Sequence, residues 1–251
     1  MKKSLARIRA LAGRNGKELL RDPLSLVFLV LMPLGMELLF YFLFHKLTSQ
    51  FEMRYLAPGI VVFSQSFLAL FAGLLIATDR NSAFLTRLYV SSARSYEFIF
   101  GYALPLLPIS LTQSILFFLV GGALDASLFS LSMVWAALLA LVPALFFMGC
   151  GILLGSLCNE KSLGGVASII IAGQSLLSGM WYPTEGLEGS FMMTLMDILP
   201  FRNATILIQN TLNGFETLAT DFLKPLLVVL AYTLAIFLAA ILTFGSKMRA
   251  K

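Results

Sequence analysis

Glu37 is the one acidic residue that lies deep inside a long apolar stretch of this 251-residue chain. The stretch runs from residue 24 to residue 44, and a carboxyl group at depth in a membrane is costly enough to be a candidate functional group by default. Its chemistry would be contact with a substrate or a proton. The alternative is that the side chain reaches water near the outer face or pairs with a neighbouring helix. His45 follows, but a single histidine cannot complete a metal site, so no metal is predicted.

A polar loop after the second apolar stretch carries three arginines at seven-residue intervals and two apolar residues at i, i+4 spacing: Arg80, Arg87, Arg94, Phe84 and Leu88. This spacing predicts a short amphipathic helix over residues 80–92. Such a helix could rest on the membrane surface, or it could insert into a groove on a soluble partner protein. The pattern alone leaves both interpretations open.

Motifs for nucleotide hydrolysis and for other catalysis are absent from the sequence. The string nearest to a phosphate-binding loop, GRNGKE at 13–18, has the wrong spacing and lacks the hydroxyl residue that would bind Mg²⁺. No G-x-S-x-G or H-E-x-x-H string occurs either. Cys150 and Cys158 show no spacing typical of a disulfide framework or a zinc site. The sequence therefore predicts no catalytic residue and no cofactor on this chain.

Composition identifies the surroundings of these residues, because 59% of the chain is apolar and only 12% is charged. Soluble domains carry about a quarter charged residues, so lipid must be the main solvent here. We expect one all-α membrane domain over residues 1–251, with an amphipathic interfacial helix over residues 1–22. Apolar stretches long enough to cross a bilayer predict six transmembrane helices, at 24–44, 57–77, 98–121, 131–157, 164–181 and 223–244.

The distribution of basic residues predicts the orientation of these spans. With both termini in the cytoplasm, 14 of the 18 Lys and Arg residues fall on the inner side. This asymmetry agrees with the positive-inside rule, and it predicts a multi-pass protein of the plasma membrane. The loop over residues 80–92 is then cytoplasmic.

The longest connection between spans, residues 182–222, lies outside in this topology. Its apolar stretch from 190 to 199 is too short to cross the membrane, so it predicts a re-entrant or interfacial helical hairpin. A second short helix is predicted over residues 203–213, ending near Gly214.

Several short motifs, in this order along a six-span chain, resemble the permease subunits of type-two ABC exporters, which include daunorubicin, nodulation-factor and polysaccharide exporters. They are LRDP at 20–23, YLAPGI at 55–60, AFLTRL at 83–88, SGMWYP at 178–183, LPFRNA at 199–204 and LNG at 212–214. The resemblance covers nearly the whole chain.

The resemblance implies a function for each segment. The helix over residues 80–92 would be a coupling helix that docks on an ATPase, which favours a partner contact for Arg80, Phe84, Arg87, Leu88 and Arg94. The outer segment would form re-entrant helices that include Pro183, Leu199, Pro200 and Asn203. The N-terminal helix would also touch the ATPase.

The partners implied are two ABC ATPase subunits, which would bind ATP and Mg²⁺, and a second permease copy or a paralogue, all in membrane lipid and without nucleic acid. The substrate would be hydrophobic or amphipathic, such as a drug, a lipid or a glycan-lipid, and would move outward.

Other classes of membrane protein are less consistent with the sequence. A secondary transporter should show several intramembrane ionisable groups and repeated halves, whereas only Glu37 and no clear repeat are present. A membrane-embedded enzyme should show a convergent acid, base and nucleophile. A scaffold that only anchors partners is a third alternative.

Overall fold

The computed structural model describes residues 2–23, 27–82, 94–214 and 216–249, and within these ranges the chain is helical, with no strand. Eleven α-helices are described: α1 (Lys2–Leu20), α2 (Met32–Phe44), α3 (Met53–Asn81), α4 (Ser95–Ala103), α5 (Leu106–Leu124), α6 (Leu131–Leu139), α7 (Leu141–Leu157), α8 (Glu160–Leu177), α9 (Phe191–Ile198), α10 (Pro200–Asn213) and α11 (Lys224–Arg249). Short 3₁₀ turns at Ser49–Phe51 and Ala126–Leu128 and π-helical turns at Val27–Leu31 and Leu218–Leu223 connect or extend them.

Five continuous helical stretches in the described residues are long and apolar enough to cross a membrane: Val27–Phe44, Met53–Arg80, Ser95–Leu124, Leu131–Leu157 and Leu218–Ser246. The pair α9 and α10 passes the same test together but is bent by 71°, so the count is five or six. The prediction of an all-α, multi-span membrane protein is confirmed.

Helix α8 occupies most of the predicted fifth span at 164–181 but is not among those five stretches. Its 18 residues would extend about 27 Å, close to the thickness of a hydrocarbon core. Glu160, Lys161 and Gln174 lower its hydropathy. It ends at Leu177, shortly before Gly179, whose φ of 71° no longer continues a right-handed helix. That α8 crosses the membrane stays a prediction.

Helix α3 is the centre of the bundle and packs most extensively against α7. Small residues allow this approach, since Gly151 and Gly155 of α7 face Ala69 and Gly73 of α3. A Cβ atom added at Gly155 would lie 2.5 Å from the Gly73 carbonyl oxygen. The G-x-x-x-G pattern of α7 therefore lets two backbones meet, as is usual in membrane helices.

The amphipathic helix α1 packs against α4 on one side and exposes apolar side chains on another. Leu11 packs against Gly101, where an added Cβ would lie 2.5 Å from the leucine Cδ2. Leu19 is buried, whereas Leu5 and Leu20 are exposed. The first helix is thus fixed to the bundle on one side and suited to a membrane surface on the other.

Proline and π-helical geometry interrupt several spans. Pro105 separates α4 from α5, Pro58 lies inside α3, and Pro33 occupies the first turn of α2. The π-helical turn Val27–Leu31 leads into α2, and the Gln113 side chain donates its amide hydrogen to the Leu29 carbonyl there. Polar side chains of neighbouring helices therefore satisfy carbonyls that irregular turns leave free.

Candidate functional site: the anchor cluster at the coupling connection

The predicted coupling helix lies between two described helix ends. Helix α3 ends at Asn81, and α4 begins at Ser95. Phe84, Arg87 and Leu88 lie outside the described residues, so their predicted contacts with an ATPase stay predictions.

Six side chains around these two helix ends form what we call the anchor cluster: Arg7, Arg14, Asp79, Arg80, Glu97 and Tyr102. They come from α1, α3 and α4. Three of them, Asp79, Arg80 and Glu97, lie within two residues of the helix ends that flank the connection.

Asp79 holds the end of α3 against α1 and α4. Its carboxylate is 1% exposed and accepts hydrogen bonds from the Arg14 guanidinium and from the Tyr102 hydroxyl, the latter at 2.6 Å. Arg14 also pairs with Glu18 one turn along α1, at 2.9 Å. The hydrogen bond to Asp79 raises the pKa of Arg14 above its ordinary value, so this buried carboxylate always faces a cation.

Arg80 joins the end of α3 to the end of α7. Its two terminal nitrogens donate to the backbone carbonyls of Ser156 and Cys158, at 2.8 and 2.6 Å. The last carbonyls of a helix lack intrahelical partners and carry partial negative charge, so a guanidinium is a favourable cap. The structure therefore directs this side chain to α7, while its predicted contact with an ATPase stays a prediction.

Glu97 holds the start of α4 against α1. Its side chain is buried and accepts from Arg7 of α1 at 3.3 Å and from the backbone N–H of Arg94 at 3.2 Å. An acidic residue in the first turn also suits the positive end of the helix. The side chain of Arg94 itself is exposed.

Helix α1 consequently braces both sides of the connection between α3 and α4. Arg14 binds Asp79 before it and Arg7 binds Glu97 after it, and Asn15, fully buried, donates to the Gly101 carbonyl at 3.2 Å. Sequence reasoning missed these pairings. One signal was present, because Arg7 and Arg14 are seven residues apart and therefore share a face of α1.

Glu37 lies fully buried in α2, and neither carboxylate oxygen has a hydrogen-bond partner among the described residues. A Cβ atom added at Gly121 of α5 would lie 3.3 Å from Glu37 Oε1, so the side chain packs where α5 has no side chain of its own. Contact between Glu37 and a substrate stays a prediction.

The outer segment contains a sharp helical elbow between α9 and α10. Pro200 is the first residue of α10, and the Asn203 amide donates to the carbonyls of Asp197 and Leu199, at 2.9 and 2.8 Å. Arg202 also pairs with Asp197, at 2.5 Å. The structure thus brings the predicted residues Leu199, Pro200 and Asn203 together.

Pro183 is exposed in the irregular connector between α8 and α9. Sequence reasoning missed Gln50, whose side-chain amide donates to the Gly179 and Met180 carbonyls at 2.8 and 3.1 Å and so ties this connector to the bundle. The re-entrant position of the outer segment stays a prediction.

Five or six apolar spans, with α3 at the centre of the bundle, identify the described part of the chain as a multi-pass membrane protein. The family model for the ABC-2 type transporter matches residues 6–213, and the chain belongs to this family. No curated protein matches the chain in sequence. The chain is therefore the transmembrane permease component of an ABC transporter, a component that has no ATPase site of its own and works with ABC ATPase partners.

Proposed function

We propose that this permease is part of an exporter, and that ATPase subunits drive it through a coupling helix over residues 80–92. The observation that carries this proposal is the anchor cluster. Buried carboxylates on both sides of the connection are ion-paired to α1, and Arg80 caps α7.

The anchor cluster provides three routes by which movement of the coupling helix would reach the spans. Displacement at Arg80 would pull on α7, which packs against the centre of the bundle. Displacement at Asp79 and at Glu97 would move α1 together with α3 and α4. Nucleotide binding would then favour one of two arrangements of the spans, as coupling between distant sites requires.

In the proposed assembly, two ATPase subunits bind ATP and Mg²⁺ below two permease subunits, which are either identical copies or paralogues. Both termini and the coupling helix are cytoplasmic, in the plasma membrane, and the outer segment 182–222 is re-entrant near the exit of the path. The cargo is a hydrophobic or amphipathic compound such as a drug, a lipid or a glycan-lipid. The concentration of cations on the proposed inner side supports the orientation.

The first prediction tests the coupling helix directly. We expect Phe84→Asp and Leu88→Asp to abolish co-purification of the ATPase, because a charge on the apolar face of a docked helix would be buried in the partner's groove. The measurement is affinity purification of the complete complex from membranes, with the permease tagged.

Phe191→Asp is the matched control, since Phe191 is 82% exposed in the outer segment, where no ATPase is expected. This variant should retain the ATPase at the level of the unchanged chain. Retention of the ATPase by both Phe84→Asp and Leu88→Asp would reject the proposed docking helix.

A further inference from the structure

A groove of about 550 Å³ lies between the amphipathic helix α1 and the first turns of α5. Gly13 and Gly16 of α1 line one side, and Pro108, Ile109 and Leu116 of α5 line the other. Gly13 has nothing within 4 Å of the position that a Cβ atom would occupy, so there is room for a side chain at this point of the wall. The volume is within the range of small-molecule sites, roughly 300–1,000 Å³.

The groove is apolar and belongs to the part of the chain that contacts lipid. Its α5 wall is part of the span Ser95–Leu124, and from Pro105 to Leu116 it extends about 16 Å along the helix. Amphipathic helices such as α1 lie at the boundary between headgroups and acyl chains. The groove therefore lies where an acyl chain of a bilayer lipid could enter it.

A cation is present beside this apolar space. Lys17 lines the groove and is exposed. The ion pairs among the described residues use Arg7 and Arg14 of the same helix with protein carboxylates, but none of them uses Lys17. Its ammonium group is therefore placed to meet an anion that comes from outside the protein.

Gln113 keeps the inner wall of the groove in place. Its side chain is 2% exposed, and its amide donates to the Leu29 carbonyl in the π-helical turn before α2. A hydrogen bond between two spans therefore fixes the wall opposite α1. The groove does not depend on the position of one flexible side chain.

We propose that this groove binds one anionic phospholipid, with an acyl chain along Ile109 and Leu116 and the headgroup phosphate at Lys17. The lipid would fill the space between α1 and α5. Helix α1 carries Arg7 and Arg14 of the anchor cluster. Anionic lipid would therefore stabilise the brace on the coupling connection. The inference goes beyond the proposed function and depends only on the location of the chain in a membrane.

The experiment measures thermal unfolding of the purified full-length permease in detergent as phosphatidylglycerol or phosphatidylcholine is added. We expect phosphatidylglycerol to raise the unfolding temperature at lower concentration than phosphatidylcholine, because a ligand that binds the folded state stabilises it. Gly13→Leu should weaken the apparent phosphatidylglycerol affinity roughly tenfold or more, because its side chain would fill the groove. Gly35→Leu is the matched control, since Gly35 is also a helical glycine with open space around it, and it should keep the unchanged affinity.

Lys17→Ala provides a second variant at an exposed position, where the fold does not depend on the side chain. It should remove the preference for phosphatidylglycerol while leaving phosphatidylcholine binding unchanged, and Lys46→Ala should leave both unchanged. Equal stabilisation of the unchanged protein by the two lipids, or an unchanged preference in both Gly13→Leu and Lys17→Ala, would overturn the proposal. The purified permease is used without an ATPase, so either result is independent of the proposed coupling helix.

Discussion

The sequence and the structure assign different contacts to Arg80. Its seven-residue spacing with Arg87 and Arg94 predicts one shared face of a helix, and the family resemblance implies that this face meets an ATPase. In the structure its guanidinium donates to two carbonyls at the end of α7. The residue is therefore placed to transmit movement between helices.

We expect Arg80→Lys to leave ATPase co-purification intact but to lower substrate-stimulated ATP hydrolysis about tenfold, equivalent to about 1.4 kcal/mol of activation free energy. A lysine ammonium lacks the planar fork that reaches both carbonyls. Hydrolysis by the reconstituted complex in liposomes measures the effect. The control is Arg54→Lys at the opposite end of α3, because Arg54 is exposed and its described contact is made by its backbone carbonyl.

Two results would contradict this role for Arg80. Loss of ATPase co-purification in Arg80→Lys would place the guanidinium at the ATPase surface, and unchanged hydrolysis would show that the contact with α7 does not transmit movement.

The pairings of the anchor cluster were not predictable from sequence, for a physical reason. Arg14 and Asp79 are 65 residues apart, and Arg7 and Glu97 are 90 residues apart, so their meeting depends on how α1 docks. Hydropathy and helical periodicity report only on neighbours within a few turns. The candidate residues close to the connection could be predicted, but the partners that hold them could not.

At the scale of elements, hydropathy predicted most spans because a long apolar helix is required to cross a bilayer. Helix α8 was also predicted as a span, and this stays a prediction because Glu160, Lys161 and Gln174 lower its hydropathy. The docking of α1 on α4 was not predicted either, because it depends on the close fit of Leu11 against Gly101. An amphipathic pattern shows that a helix has an apolar face and a polar face. It does not show which protein surface the apolar face contacts.

The seam between α3 and α7 gives an element-scale prediction. We expect Gly155→Ala to lower the free energy of unfolding by about 1–3 kcal/mol, because the new methyl group would meet the Gly73 carbonyl and force the helices apart. The higher helix propensity of alanine, about 1 kcal/mol, offsets part of this loss. Denaturation of the purified permease in detergent measures it.

Gly164→Ala on α8 is the control for this substitution. A Cβ atom there has nothing within 4 Å, so stability should be unchanged or slightly higher. A Gly155→Ala variant as stable as the unchanged chain would show that the seam can relax at no cost.

At the scale of the whole molecule, the proposed orientation places the coupling connection and the outer segment on opposite sides of the membrane. Ser82 and Glu188 are both exposed and report on these two sides. In a variant with serine at Cys150 and Cys158, we expect a membrane-impermeant maleimide to label Glu188→Cys on intact cells. Ser82→Cys should be labelled only after permeabilisation, because cations concentrate on the cytoplasmic side.

If Ser82→Cys is labelled and Glu188→Cys is protected on intact cells, the chain has the opposite orientation. The coupling helix could then not contact a cytoplasmic ATPase. Labelling of both on intact cells would show that the chain does not separate these segments across the bilayer.

The elbow between α9 and α10 has a consequence for how the outer segment can change shape. Asn203 closes the bend through carbonyls four and six residues earlier, so its own hydrogen bonds are local. By contrast, the connector before α9 contains Gly179, Gly186 and Gly189, all with positive φ, and Gln50 holds it only at the Gly179 and Met180 carbonyls. We therefore expect the bend to keep its angle when this part of the chain moves, and the change in backbone torsion to fall at Gly186 and Gly189.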